Sequence, residues 1–212
     1  MVAAAPSRRG RGGDRMTAPA SLSPAFVQWW FAPWDLAGLR QDAGAPAPRD
    51  LLGRRDAYRR WCLDAGIPAA LPPTPDSRWA ALATLGDTEL ARAARLFGGL
   101  FAARMPLPQA LAGLEEDERR WCAGVANLQP LPRAPWRAST ALEAGVDGAG
   151  LAWLALCLEH GFPGLWPRLR LRLPASAAAG AERCLQDGGV PPADAALARL
   201  ARCWTLCERR AA

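Results

Sequence analysis

The sequence predicts a mainly α-helical, single-domain protein, and three observations predict it. Val, Ile and Thr, the residues that suit a pleated sheet, number only 12 of 212, while Ala and Leu abound. Apolar residues recur at three- and four-residue spacing in one segment after another, most of them opened by Ser, Thr or Asp and closed by Gly or Pro. Half of all residues are hydrophobic, enough for one substantial core in a chain of this length. Together these argue against an all-β or doubly wound α/β fold. They assign a compact helical domain to residues 21–212 behind a tail over 1–20.

The tail "MVAAAPSRRGRGGDR" lacks the apolar central run of a secretory signal. Either translation begins at Met16 or the first residues form a disordered tail. Ser23 then caps, and Pro24 starts, a short helix rich in rings (Phe26, Trp29, Trp30, Phe31). After the "AGAPAP" break, Asp50 caps a helix that turns Leu51, Tyr58, Trp61 and Cys62 toward the core and ends at Gly66 and Pro68. Beyond the stiff "LPPTP" connector, Asp76 begins a short helix through Leu82.

Asp87 caps the next helix, with Leu90, Ala94, Phe97 and Phe101 on its inner stripe and Arg92 and Arg95 outward. Gly98 and Gly99 lie inside it at a cost of about 1 kcal/mol each relative to Ala, so close helix packing is expected there. Pro108 to about Leu128 reads as one helix with Leu111, Leu114, Trp121 and Val125 inward. Glu115 and Glu116 precede Arg119 and Arg120 by four residues, the pattern of a solvated face. The four acids of "EEDE" point in different directions around such a helix, which argues against metal or acid–base chemistry.

"QPLPRAPWRAS" is a loop, and Thr140 with Glu143 resembles a capping box. Gly148 to Glu159 is a strongly apolar helix closed by Gly161 and Pro163. Its clean apolar run is roughly half of the ~20 residues needed to cross a bilayer, so no transmembrane helix is expected. An Ala-rich helix around "ASAAAGAERCLQ", a "DGGVPP" break and a last helix from Pro192 to about Arg209 complete the chain, with Leu197, Leu200, Trp204 and Cys207 inward.

One stretch departs from this pattern. In "GLWPRLRLRLP", Leu169, Leu171 and Leu173 alternate with Arg168, Arg170 and Arg172, which predicts a short extended segment over 165–174. A lone strand leaves backbone groups unpaired. Its leucine face is therefore expected to dock on the "GLAWLALCL" helix, with the arginine face left for a partner protein or for solvent.

Charge and composition narrow the function classes. The tail holds a net of +3, half of the total +6, so the body is close to balanced. All 26 basic residues are Arg, a bias that codon usage explains, and this weakens arginine number as a sign of phosphate recognition. The six cysteines form no C-x-x-C pair and read as reduced thiols of a cytosolic protein. Cys157 and His160, with Cys203 and Cys207, offer four zinc-ligand types, but the pairs are distant in sequence and Cys157 lies in the most apolar run. The repeated "RRWC" at Arg59 and Arg119 shows no fixed period and is read as coincidence.

A single histidine limits any triad, and no nucleophile elbow, phosphate loop or H-E-x-x-H is present. No catalytic, metal or cofactor residue is assigned, and none of these chemistries is expected. Among the ten tryptophans, Trp29, Trp30, Trp34, Trp136 and Trp166 lie in or beside Pro-rich, irregular segments where full burial is harder. Trp and Arg are favoured at protein–protein contacts, and packing in the core is the alternative for each ring. The candidate protein-binding residues are Trp136, Trp166, Arg168, Arg170 and Arg172.

The stretch "GAGLAWLALCLEHGFPGLWPRLRLRLP" resembles the C-terminal hallmark of the SctK (YscK-like) family, accessory proteins of the type III secretion sorting platform. The resemblance rests on Gly150, Leu151, Ala152 and Trp153, then Trp166, Arg168, Leu169, Leu171, Arg172, Leu173 and Pro174. "ELARAARLFGGLFAARMPLPQAL" and "PLPRAPWR" are similar to the family's central helices and Pro/Trp loop, and "FAPWDL" is a weaker echo of its opening. Likeness spans roughly residues 25–175; the tail, the missing Lys and the last 40 or so residues depart from the pattern.

The resemblance implies a mostly helical, non-enzymatic bacterial adaptor in the cytoplasm, recruited to the inner membrane through its partners alone. Those partners are the SctQ-like pod protein and the cytoplasmic domain of the SctD-like inner-membrane ring, with no nucleic acid and no small-molecule substrate. The alternative reading is a small basic helical regulator that binds nucleic acid.

Overall fold

The computed structural model describes residues 22–32, 50–73, 75–105, 108–188 and 193–212, and all of the structural description concerns these. The expected tail, Trp34, the "AGAPAP" break, Pro192 and most of "FAPWDL" and "DGGVPP" lie outside them. Nine α-helices are described: α1 (Pro24–Phe31), α2 (Leu51–Asp64), α3 (Asp87–Arg104), α4 (Pro108–Leu111), α5 (Glu116–Leu128), α6 (Ala138–Gly161), α7 (Leu165–Leu169), α8 (Ala175–Asp187) and α9 (Asp194–Ala211). Two 3-10 helices, Ser77–Ala83 and Arg170–Arg172, join them, and no strand occurs among the described residues. The chain is a mainly α protein.

Several helix starts follow the local chemistry of the sequence. Ser23 accepts a hydrogen bond from the Phe26 amide with Pro24 at the first position, and Asp50 accepts one from the Gly53 amide. Asp76 does the same for Arg78 at the 3-10 helix. Each satisfies an amide that a helix end otherwise leaves open. At α3 the cap is Gly86, one residue before the expected Asp87, because the Glu89 carboxylate reaches back to the Gly86 amide.

α6 is the spine. It packs along α3 on one side and α8 on the other, with α5 and α9 closing over α3. The expected tight approach at Gly98 is present: a Cβ there would lie 2.0 Å from the Val146 carbonyl oxygen, and one on Gly150 would lie 1.9 Å from that of Ala94. Gly148 meets Gly180 of α8 less tightly, a built Cβ falling 3.1 Å from its backbone. By length and composition α6 is apolar enough to cross a membrane, but over half of that window is buried inside the body, as a central core helix requires. Its first turns bend away at Gly145, whose φ of 70° suits glycine.

One apolar cluster runs from Phe26 to Ala211. The inner stripes expected for α3 (Leu90, Ala94, Phe97, Phe101) and α9 (Leu197, Leu200, Trp204, Cys207) are all buried. Other expectations shift. The helix expected over 108–128 divides into α4 and α5, and α5 buries Glu118, Cys122 and Ala126, with the expected Trp121 and Val125 packed half-buried against the core one position away. Leu51, expected inside, is 84% exposed in the first turn of α2. Thr140 caps no helix; its hydroxyl donates to Asp187 instead.

The extended segment expected over 165–174 is a correction. Gly164, at φ 83°, turns the chain into α7, where Pro167 falls in the first turn and needs no amide partner. The 3-10 helix then follows, and only Leu173 is extended. Adjacent Arg168 and Leu169 are both buried, which alternation across a strand forbids. With no partner strand, a tight helical winding satisfies the backbone within the segment itself, and Leu and Arg are good helix formers.

Candidate protein-interaction site

The arginines expected to face a partner are bound internally. Arg168 is 2% exposed. Its guanidinium lies 3.6 Å over the Trp30 ring and donates to the Gly164 carbonyl (3.0 Å), the Tyr58 hydroxyl (2.7 Å) and the Pro68 carbonyl (2.6 Å). Tyr58 in turn donates to the Ala69 carbonyl at 2.7 Å. No carboxylate pairs with Arg168 among the described residues, and its Nε has no partner there. Burial accordingly lowers the pKa of Arg168, opposed by Tyr58 and Cys62. Burial also pushes the Tyr58 phenol up to about 12, against the pull of Arg168. Hydrogen bonds from a cation and its contact with a ring offset part of the desolvation cost.

Arg172 reaches the other way. It donates to the Leu82 and Ala83 carbonyls (both 3.2 Å) and to Leu85 (2.6 Å), the open end of the first 3-10 helix, and pairs with Asp87 at 2.6 Å. A cation at a helix C-terminus is well placed against its terminal carbonyls. Arg170 makes a half-exposed pair with Glu182 at 2.8 Å, a contact of little energetic weight.

Trp166 and Trp136 are 6% and 5% exposed. Trp136 lies tilted on Trp153 at 4.9 Å, and Trp153 stacks on Phe101 at 4.0 Å. Trp29 and Trp30 are buried as well. Core packing therefore takes these rings, and the proposed partner-facing set is corrected: residues 166, 168, 170 and 172 share one segment that ties the molecule together, Trp136 stands apart from it, and only Arg170 retains substantial exposure.

Chemistry was weakly signalled at Cys157 and His160, and the structure adds Asp194 beside them in a cleft of about 280 Å³. His160 Nε2 lies 3.7 Å from Asp194 Oδ1. The set does not make a nucleophile, because burial pushes the Cys157 thiol up to about 12 and leaves it neutral. Burial likewise raises Cys122 to about 12 and Cys184 to about 11, and all six thiols are unbridged. No group of three or more His, Cys, Asp or Glu able to hold a metal occurs among the described residues.

The outward-facing candidate is α2. Leu52, Arg55, Arg59 and Leu63 follow one another at three- and four-residue steps, so they share a stripe on its surface. Leu52 is 74% and Leu63 80% exposed, while the adjoining flank of α2, about a third of a turn away, buries Tyr58 and Cys62. Beside the stripe is a groove of about 430 Å³. Phe31, Tyr58, Ala69 and Ala70 supply its apolar lining and Arg54, Arg55 and Arg59 its charged lining. Phe31 packs on Tyr58 at 5.4 Å. The sequence carries a signal for this surface, since Leu52 and Leu63 fall about a third of a turn off the Tyr58–Cys62 face, but the amphipathic contrast of α2 is shallow.

No protein-family model, curated protein or solved structure matches the chain.

Proposed function

We propose that the protein is a non-enzymatic adaptor of the type III secretion sorting platform, holding the SctQ-like pod protein against the cytoplasmic domain of the SctD-like inner-membrane ring. One observation carries the reading. The residues on which the SctK resemblance rests are the ones that tie this body together: Trp166 and Leu169 in the core, Arg168 between α2 and α7, Arg172 across the end of the 3-10 helix. A motif committed to internal contacts specifies an architecture, so its likeness supports a shared helical body rather than a chance surface pattern. The surface left for partners on that body includes the leucine–arginine stripe of α2.

Co-expression with a pod-type protein tests the reading. A complex that co-elutes from a sizing column and gives a saturating calorimetric isotherm is the expected result; separate elution with no heat of binding refutes it.

A further inference from the structure

We infer that the stripe and groove of α2 form the docking site for an acidic, leucine-bearing helical segment of a partner protein. The inference rests on the adaptor reading only for the partner being a protein of the secretion machinery.

Two exposed leucines and the apolar groove lining call for aliphatic side chains. Between the leucines, Arg55 and Arg59 are exposed and enter no ion pair among the described residues. No carboxylate is among the described residues that line the groove. Behind them sits Arg168, a buried cation with no acidic partner there, hydrogen-bonded to the Tyr58 hydroxyl of the groove wall. Arg54, Arg55 and Arg59 around the groove outnumber Asp56, the exposed carboxylate at the far edge of the stripe, and this excess of positive charge beside apolar contacts is complementary to carboxylates spaced between leucines.

The geometry favours a helix as the occupant. Leu52 and Leu63 lie eleven residues apart, or roughly 16 Å along α2, the span of about three turns of a second helix. Leucines three turns apart on that helix would meet the two ends of the stripe, and acids one turn inward from each would meet Arg55 and Arg59. A nucleic acid is the poorer match because Leu52 and Leu63, the exposed ends of the stripe, give it nothing to pair with.

Fluorescence anisotropy on the full chain tests this with a labelled peptide of roughly 18 residues carrying Leu and Glu on one helical face, beside a twin with Gln for Glu and a single-stranded oligonucleotide. The expected result is saturable binding of the Glu peptide, weakened at least about tenfold in the twin and in both Arg55→Glu/Arg59→Glu and Leu52→Ser/Leu63→Ser, since a tenfold change is the loss of one good contact. All four positions are exposed, so unchanged circular dichroism and thermal midpoint should accompany the loss.

Four results would overturn the inference. These are no saturation by about 1 mM peptide, equal binding by the charge-reversed variant, tighter binding of the oligonucleotide with the same variant dependence, or binding that emerges only when residues 33–49 are replaced by a Gly/Ser linker, which would make the chain's own segment the occupant. If Arg55→Glu/Arg59→Glu leaves both the pod complex and peptide binding intact, the docking site is refuted and the adaptor reading stands. Peptide binding without any pod complex does the reverse.

Discussion

Two regions of the molecule are held together by opposite means. Along α3, α6 and α8 the backbones touch because Gly98, Gly150, Gly148 and Gly180 have no side chain to separate them. Around α1, α2 and α7 the space is filled by Phe26, Trp29, Trp30 and Phe162, whose neighbouring rings lie 5.3–6.5 Å apart, and by the guanidinium of Arg168. The first region relies on dispersion between closely apposed backbones and tolerates no added atom. The second relies on large side chains and directed hydrogen bonds, so it is sensitive to lost groups rather than gained ones.

The largest expected effect breaks the first region. Gly150→Ala forces α3 and α6 apart and should cost about 3 kcal/mol, read as a drop in the urea midpoint. Next comes the second region: Arg168→Lys keeps the charge but loses the fork that reaches Gly164, Tyr58 and Pro68, and should cost about 2 kcal/mol in the same assay.

A third test concerns the polar tie between α8 and the start of α6. The Thr140 hydroxyl and Arg137 hold the Asp187 carboxyl well below the usual carboxylate range. Its contribution is present above the unfolded-state pKa of about 3.9 and is lost as pH falls below it toward the folded value. Stability should therefore decline below about pH 4, and Asp187→Asn should flatten that decline while lowering the midpoint at neutral pH. The smallest effect has the opposite sign. Gly124 of α5 is exposed, and an added Cβ meets nothing within 4 Å, so Gly124→Ala should stabilise by about 0.5–1 kcal/mol. A destabilising result there would erase the contrast with Gly150.

The same contrast explains what could be read from the sequence. Helix starts at Ser23, Asp50 and Asp76 are local chemistry and were legible, as was the close packing implied by Gly98. The inner face of α5 was misplaced because small Cys122 and Ala126 occupy it while the more apolar-looking Trp121 and Val125 sit at its edge. The 165–174 segment was misread for a different reason. Polarity was taken to mark the outside, yet arginine is long enough to satisfy its charge on distant carbonyls, and the pattern contains nothing about Tyr58, Pro68 or Leu85. At α2 the error is the converse: Leu51 shares the Tyr58–Cys62 face, so its register places it inward, yet in the first turn of the helix it stands exposed.

Arg172 also bears on the order in which the chain becomes finished during synthesis. The carbonyls at Leu82, Ala83 and Leu85 wait for a side chain 87 to 90 residues downstream, and Tyr58 and Pro68 wait for one 110 and 100 residues downstream. A nascent polypeptide halted before Arg168 has the described segment between Tyr58 and Leu85 uncapped and unlocked. Quality control at the ribosome exit would meet an incomplete fold until the last quarter of the message is being read.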